Sequence, residues 1–512
     1  MKKKQVLSLI VWILLFALVF LLLQQIVKPK WDEGLAATTD IEGFYAEEKD
    51  SLDVVFFGTS HVICGISPMK LYEDYGIKSY VLATGDQPMQ STYYWIKEAH
   101  KRQPHMVAVL DIWSLLFTDQ VTEEVVRQSL DDMPFSANKA AAIRTVSDTY
   151  HLPSFDFFFP LFHYHDRVTE LEKKDVTSLF EDKENLWKGH YPIAWWGHSD
   201  YQGVNLDPNF PTELTASIPM EENNIFWLQN IIHDCAKEQI PLILTKVPLL
   251  TWDQARHDAV EQVLAAEGVP FFDMNLNPYY QTLGMDPTYD YQGQDHLNML
   301  GAQKVTDAFG RYLLETGYVT AESMAETADA NDVWNSQLPA YEHSYKGYAL
   351  PMVEEIPAFL EAITRDPDYI VFYGYQDNGT PEFTPEYAHA ISAFGFDEAA
   401  LLTRSTKQVR IVYNGEELLN DATDQDMLHV TGELKKGSAP FGKRLKETLH
   451  YDFALNAWDK AMVINGKECT TALATGLHVI VYSMSEEANV CEVCFTPVAN
   501  GDVYWQIRDY VR

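Results

Sequence analysis

The stretch DVVFFGTSHV, residues 53 to 62, passes through four apolar side chains straight into Gly-Thr-Ser-His. An unbroken apolar run that stops at a glycine reads as a strand buried on both faces. The hydroxyls and the imidazole then stand at the strand's carboxyl end, where a parallel sheet collects its working groups. Ser60 in that place either caps the next helix or displays a nucleophile.

The surrounding sequence repeats the pattern. KSYVLATG (78–85), HMVAVLDIW (105–113), IPLILTKV (240–247) and VPFFDMN (269–275) read as further strands. QSTYYWIKEAHKRQ (90–103), NNIFWLQNIIHDCAKEQ (223–239), ARHDAVEQVLAAEG (255–268) and HLNMLGAQKVTDAFGRYLLETG (296–317) read as helices. Strands alternating with helices predict an α/β domain with a parallel sheet covered on both faces. It spans residues 32–320, interrupted at about 115–225 by an insertion rich in Phe, Tyr, Trp and His, as in FDFFFPLFHYHDR (155–167) and YPIAWWGHSDYQG (191–203). Those aromatics either build a core of their own or stack on sugar rings. Residues 321–345, small and acidic, read as a linker or a loosely packed helix. Residues 346–512 read as a mostly β domain, with Asn-Gly pairs at 414–415 and 465–466 as hairpin turns.

Residues 1–31 read as a short cytoplasmic tip and a membrane anchor. No charge interrupts the chain between Lys4 and Lys28, enough to cross a bilayer as one helix. Three lysines precede it, which predicts a cytoplasmic N-terminus and an extracytoplasmic remainder. A cleaved signal peptide fits less well, because the apolar run ends in LLLQQIVKPK without a small-residue site.

The formal net charge of the 512-residue chain is -36 at pH 7, which argues against a nucleic-acid partner. Five cysteines give no disulfide framework. Cys491 and Cys494 form a C-x-x-C inside a strand-like run, which puts their side chains on opposite faces and predicts buried thiols rather than a metal or redox site.

Three pieces carry the chemistry. Ser60 follows the first strand. Gly85 follows the second, where a glycine amide can approach an oxyanion. His296 stands at the mouth of the last helix, with Asp290 and Asp295 at hand to orient its ring; the competing reading is a helix start capped by Asp295. This order resembles the SGNH (GDSL-like) hydrolase superfamily, in its membrane-anchored bacterial branch of lipoteichoic acid D-alanylation and alginate O-acetylation proteins. FFGTSH matches the nucleophile block, ATGDQP the glycine block, and DHLNMLGAQK the histidine block. The resemblance covers about residues 50 to 318 and implies a three-layer, flavodoxin-like sheet. It also implies Ser60 as nucleophile, His296 as general base, and the amides of Ser60 and Gly85 as oxyanion hole. No cofactor or metal is implied.

The chain departs from the pattern at two points. Gly293 occupies the place of the superfamily's usual acid, which leaves Asp290 and Asp295 as alternatives. The usual asparagine donor is missing: Asp111 lies near its place, and Gln87 is a possible substitute. The implied function is an extracytoplasmic serine acyl esterase or O-acyltransferase acting on a cell-surface polysaccharide or teichoic-acid-like polymer. For transfer, the resemblance implies a multi-pass membrane O-acyltransferase partner. The alternative is a catalytically degenerate scaffold that binds glycan or protein.

Overall fold

The computed structural model describes residues 3–30, 35, 38–118, 121–180, 183–195, 218, 220–265, 267–293, 296–353, 355–377, 382–402, 406–456, 460–469, 475–497 and 503–507. The chain divides into two compact units, residues 1–339 and 340–510.

The first unit begins with α1 (Lys3–Val27), a helix long and apolar enough to cross a membrane. Five parallel strands follow: β1 (Val54–Phe57), β2 (Ser79–Val81), β3 (Val107–Asp111), β4 (Leu242–Lys246) and β5 (Phe271–Asp273). Their order is β2-β1-β3-β4-β5, a doubly wound arrangement. β1 pairs with β2 through Val54 and Ser79 and with β3 through Val54 and Val107, so the connections leave to opposite sides of β1. Such a switch point opens a crevice at the carboxyl ends of the strands.

Side-chain alternation sends Val54 and Phe56 to one face, where they meet Val305, Phe309 and Leu313 of a helix over Met299–Glu315. All four residues of β1 are buried, which explains their continuous apolar character. The insertion contributes helices over Glu123–Leu130 and Ala137–Tyr150, followed by short helical turns. Phe157 and Trp187 are buried, whereas Phe155, Phe159, Phe162 and Phe180 are exposed, so only part of its aromatic content is core.

Residues 321–345 are largely helical, the second of the two alternatives read from the sequence. A helix over Asn331–Ala349 carries Pro339, where the two units divide. The second unit holds a six-stranded antiparallel sheet and a four-stranded one. One core lies between the larger sheet and the helices Ile356–Arg365 and Pro385–Ser392, and another between the two sheets. Asn414-Gly415 and Asn465-Gly466 turn two hairpins with positive φ throughout, as the primed turns require. All five cysteines are buried thiols outside any disulfide. Cys491 faces the helix-side core, and Cys494 turns the other way, its thiol 3.5 Å from His478 Nε2.

Candidate functional site

The turn after β1 is built around Gly58. Its φ of +147° is closed to residues with a side chain, and a Cβ there would stand 3.1 Å from Asp111 Cβ. Thr59 then caps the short helix α2 (Ser60–Gly65), accepting from the His61 N–H through its hydroxyl. Ser60 is therefore the first helical residue rather than the cap, and its N–H is one of the first-turn amides that lack a helical partner.

His296 arrives from the far end of the domain. It lies in a two-residue bridge, Gln292 opposite His296, just before the helix over Met299–Glu315. That helix is capped by Asn298, whose side chain accepts from the Leu300 and Gly301 amides. His296 Nε2 stands 2.9 Å from Ser60 Oγ. Ser60 is buried, 7 % exposed, and His296 is half-buried.

The carboxylates divide. Asp290 is buried and ion-paired to Lys304 Nζ at 2.6 Å, and it also accepts the Asp286 amide at 2.6 Å. Asp295 lies outside the described residues. The Gly85 N–H is engaged by the chain itself, donating to the Leu35 carbonyl at 2.6 Å. Gln87 is fully buried: its amide oxygen accepts from the Thr84 hydroxyl and its amide nitrogen donates to the Thr92 hydroxyl. It braces the loop that carries Gly85.

A second network sits against the pair. Lys246, at the end of β4, is fully buried with its ammonium over the rings of Trp113 and Trp252. Its Nζ lies 3.1 Å from His61 Nδ1, 3.2 Å from Asp111 Oδ2 and 2.9 Å from the Val247 carbonyl. Three N–H groups thus meet three acceptors. An ammonium has no lone pair, so His61 Nδ1 accepts and the imidazole proton resides on Nε2. Burial, then Lys246 and then His296, holds His61 well below the ordinary imidazole value, which keeps the ring neutral. Asp111 acts throughout as an acceptor, taking the Trp113 amide on Oδ1 and the Val247 amide on Oδ2. Asp111 therefore serves as counter-ion to Lys246. His61 and His296 rings are 5.7 Å apart. His61 is buried, 5 % exposed, and its Nε2 has no hydrogen-bond partner among the described residues.

Part of the insertion clamps both halves of the site. The Tyr191 N–H and His190 Nδ1 both meet the Ile63 carbonyl on α2, at 2.9 and 2.8 Å. The Ile193 carbonyl accepts the Met299 amide at 2.9 Å, just past His296. Gly189 permits this path: its φ is +83°, and a Cβ there would lie 2.0 Å from the Val81 carbonyl oxygen.

The structure thus brings Ser60 and His296 together, with Asp290 paired to Lys304, and Gly85 and Gln87 committed to loop contacts. The motifs included His61 in FFGTSH without giving it a role, and they did not include Lys246. The signal for Lys246 was a lone cation closing the apolar strand IPLILTK. No protein-family model matches the chain, and no curated protein matches it.

Proposed function

We propose that the protein is a membrane-tethered, extracytoplasmic serine acyl esterase or O-acyltransferase acting on a cell-surface polysaccharide or teichoic-acid-like polymer. The observation that carries this reading is the 2.9 Å contact between Ser60 Oγ and His296 Nε2 at the carboxyl edge of a parallel sheet. A hydroxyl in that contact loses its proton to the imidazole as it attacks an ester carbonyl. The carbonyl π electrons move to oxygen, and the resulting oxyanion meets the Ser60 N–H and the His61 Nε2–H. The oxyanion then collapses, and the alcohol leaves with the proton returned by His296. Water or a sugar hydroxyl attacks the acyl-serine by the same steps in reverse.

In this reading Lys246 is a positioning residue. It locks the His61 tautomer so that Nε2 carries the proton and is a neutral donor. Transfer rather than hydrolysis would call for a multi-pass membrane O-acyltransferase as partner. A scaffold without catalysis is the second reading, favoured by one observation: the Gly85 amide is already bonded to Leu35. The test is turnover of an aryl acetate by the full-length protein. The proposal expects turnover that Ser60→Ala abolishes; equal background rates from both proteins would favour the scaffold.

A further inference from the structure

Residues 154–169 form three short turns, Ser154–Phe158, Pro160–His163 and His165–Thr169. Phe155, Phe159 and Phe162 cluster, with ring centroids 5.0, 5.2 and 6.3 Å apart. The same cluster reaches the membrane-spanning helix. Phe20 of α1 lies 6.1 Å from Phe159 and 6.5 Å from Phe162, and it stacks on Phe16 at 6.3 Å. Despite these contacts, Phe155, Phe159 and Phe162 remain 54, 36 and 51 % exposed.

Depth identifies what covers them. Phe20 precedes Val27, the end of the candidate span, by seven residues. At ~1.5 Å per residue that places it about 10 Å inside the end of the helix. Charged groups mark the end itself: Arg167 donates to the Val27 carbonyl at 2.7 Å, and Lys28 pairs with Asp132. The phenyl rings therefore lie on the bilayer side of a polar collar, level with side chains of α1 that themselves require hydrocarbon. In water, each exposed phenyl forgoes up to ~1.5–3 kcal/mol of burial. Among acyl chains that cost disappears.

We propose that the rings of Phe155, Phe159 and Phe162 form an interfacial wedge that inserts beside α1 into one leaflet, with lipid acyl chains as its partner. The wedge and α1 then form two anchors that fix the first unit's orientation on the membrane. Leu35 is eight residues beyond Val27, so the loop it contacts at Gly85 lies within ~27 Å of the end of the span, at ~3.4 Å per residue. The wedge does not depend on the site's chemistry.

The test places a nitroxide on Phe159→Cys or Phe162→Cys in the full-length protein, reconstituted in nanodiscs of phosphatidylcholine and phosphatidylglycerol. The native cysteines are all buried, which directs the label to the new thiol. Phe226→Cys, at a position 55 % exposed on the helix Glu222–Glu238, is the reference. The proposal expects the ratio of collisions with oxygen to collisions with a water-soluble nickel chelate to be several-fold higher at 159 and 162 than at 226. A ratio equal to that at 226 would put the rings in water and overturn it. Shielding from both reagents would put protein, a second copy or another chain, on the rings and overturn it equally.

Discussion

Ser60 Oγ and His296 Nε2 stand 2.9 Å apart, although 236 residues separate them in the chain. The contact joins the turn after β1 to the start of the domain's last long helix, and the Lys246 network backs it. Each part of this arrangement makes a separate demand on experiment.

The His61 donor can be removed while its ring is kept. His61→Phe preserves the packing against Trp113, now 4.8 Å between centroids, but deletes the Nε2–H together with the Nδ1 that accepts from Lys246, so a urea-unfolding curve on the same variant separates lost stability from lost turnover. Loss of one oxyanion donor lowers turnover roughly 10²-fold or more. The account expects that loss in kcat on an aryl ester, with little change in KM. Lys246→Met should act differently, because it strands the buried Asp111 carboxylate; a stability loss of about 3–5 kcal/mol is expected from urea unfolding.

Two histidines give opposite pH slopes to stability. His61 has a lowered folded-state value, so the unfolded chain takes up a proton near ~6.5 that the folded chain refuses. Its contribution is present above that pH and is lost as pH falls. His257 is the reverse: burial works against its charge, but the Asp273 carboxylate 2.9 Å from Nδ1 outweighs burial and raises the value. Its contribution is present below ~6.5 and is lost as pH rises through the raised value. Urea midpoints should show His257→Asn costing more at pH 5.5 than at pH 8.5. An equal cost at both would contradict the assignment.

Gly58 combines a positive φ with close approach to Asp111. Gly58→Ala should destabilise the fold by about 1–3 kcal/mol through backbone strain, and it should lower turnover by tilting Ser60. A melting curve and an aryl ester assay on the same preparation check both. An unchanged melting temperature would show that the turn tolerates a side chain.

The Gly85 amide should exchange slowly with deuterium, because Leu35 holds it. In the proposed mechanism the oxyanion meets the Ser60 N–H and the His61 Nε2–H, so phosphonylation of Ser60 should leave that protection in place. Faster exchange in residues 35–44 after phosphonylation would mean that Leu35 withdraws and Gly85 is recruited.

Patterns confined to one stretch of sequence were the legible ones. The apolar runs ending at Phe57, Asp111 and Lys246 announced buried parallel strands, and the uncharged run after Lys4 announced the apolar helix. The Asn-Gly pairs announced their hairpins because only that local geometry needs two positive φ values. Ser60 and His296 were legible by their places in the strand–helix order. What was not legible depends on distant partners. Lys246 meets His61 and Asp111 across 185 and 135 residues, and no local periodicity records such a pairing. The clamp at 189–193 works largely through backbone groups, which carry no residue signature apart from Gly189. For Phe155, Phe159 and Phe162 the sequence left core and sugar stacking as alternatives, because composition alone does not reveal the neighbouring helix.

The most direct measurement is intact-protein and peptide mass spectrometry after treatment of the full-length protein with a fluorophosphonate. The account predicts one adduct, mapped to Ser60, absent from Ser60→Ala and formed at least ~10²-fold more slowly by His296→Ala, the usual scale for a lost general base. No adduct under conditions that modify a control serine esterase, or an adduct confined to another residue, would contradict it.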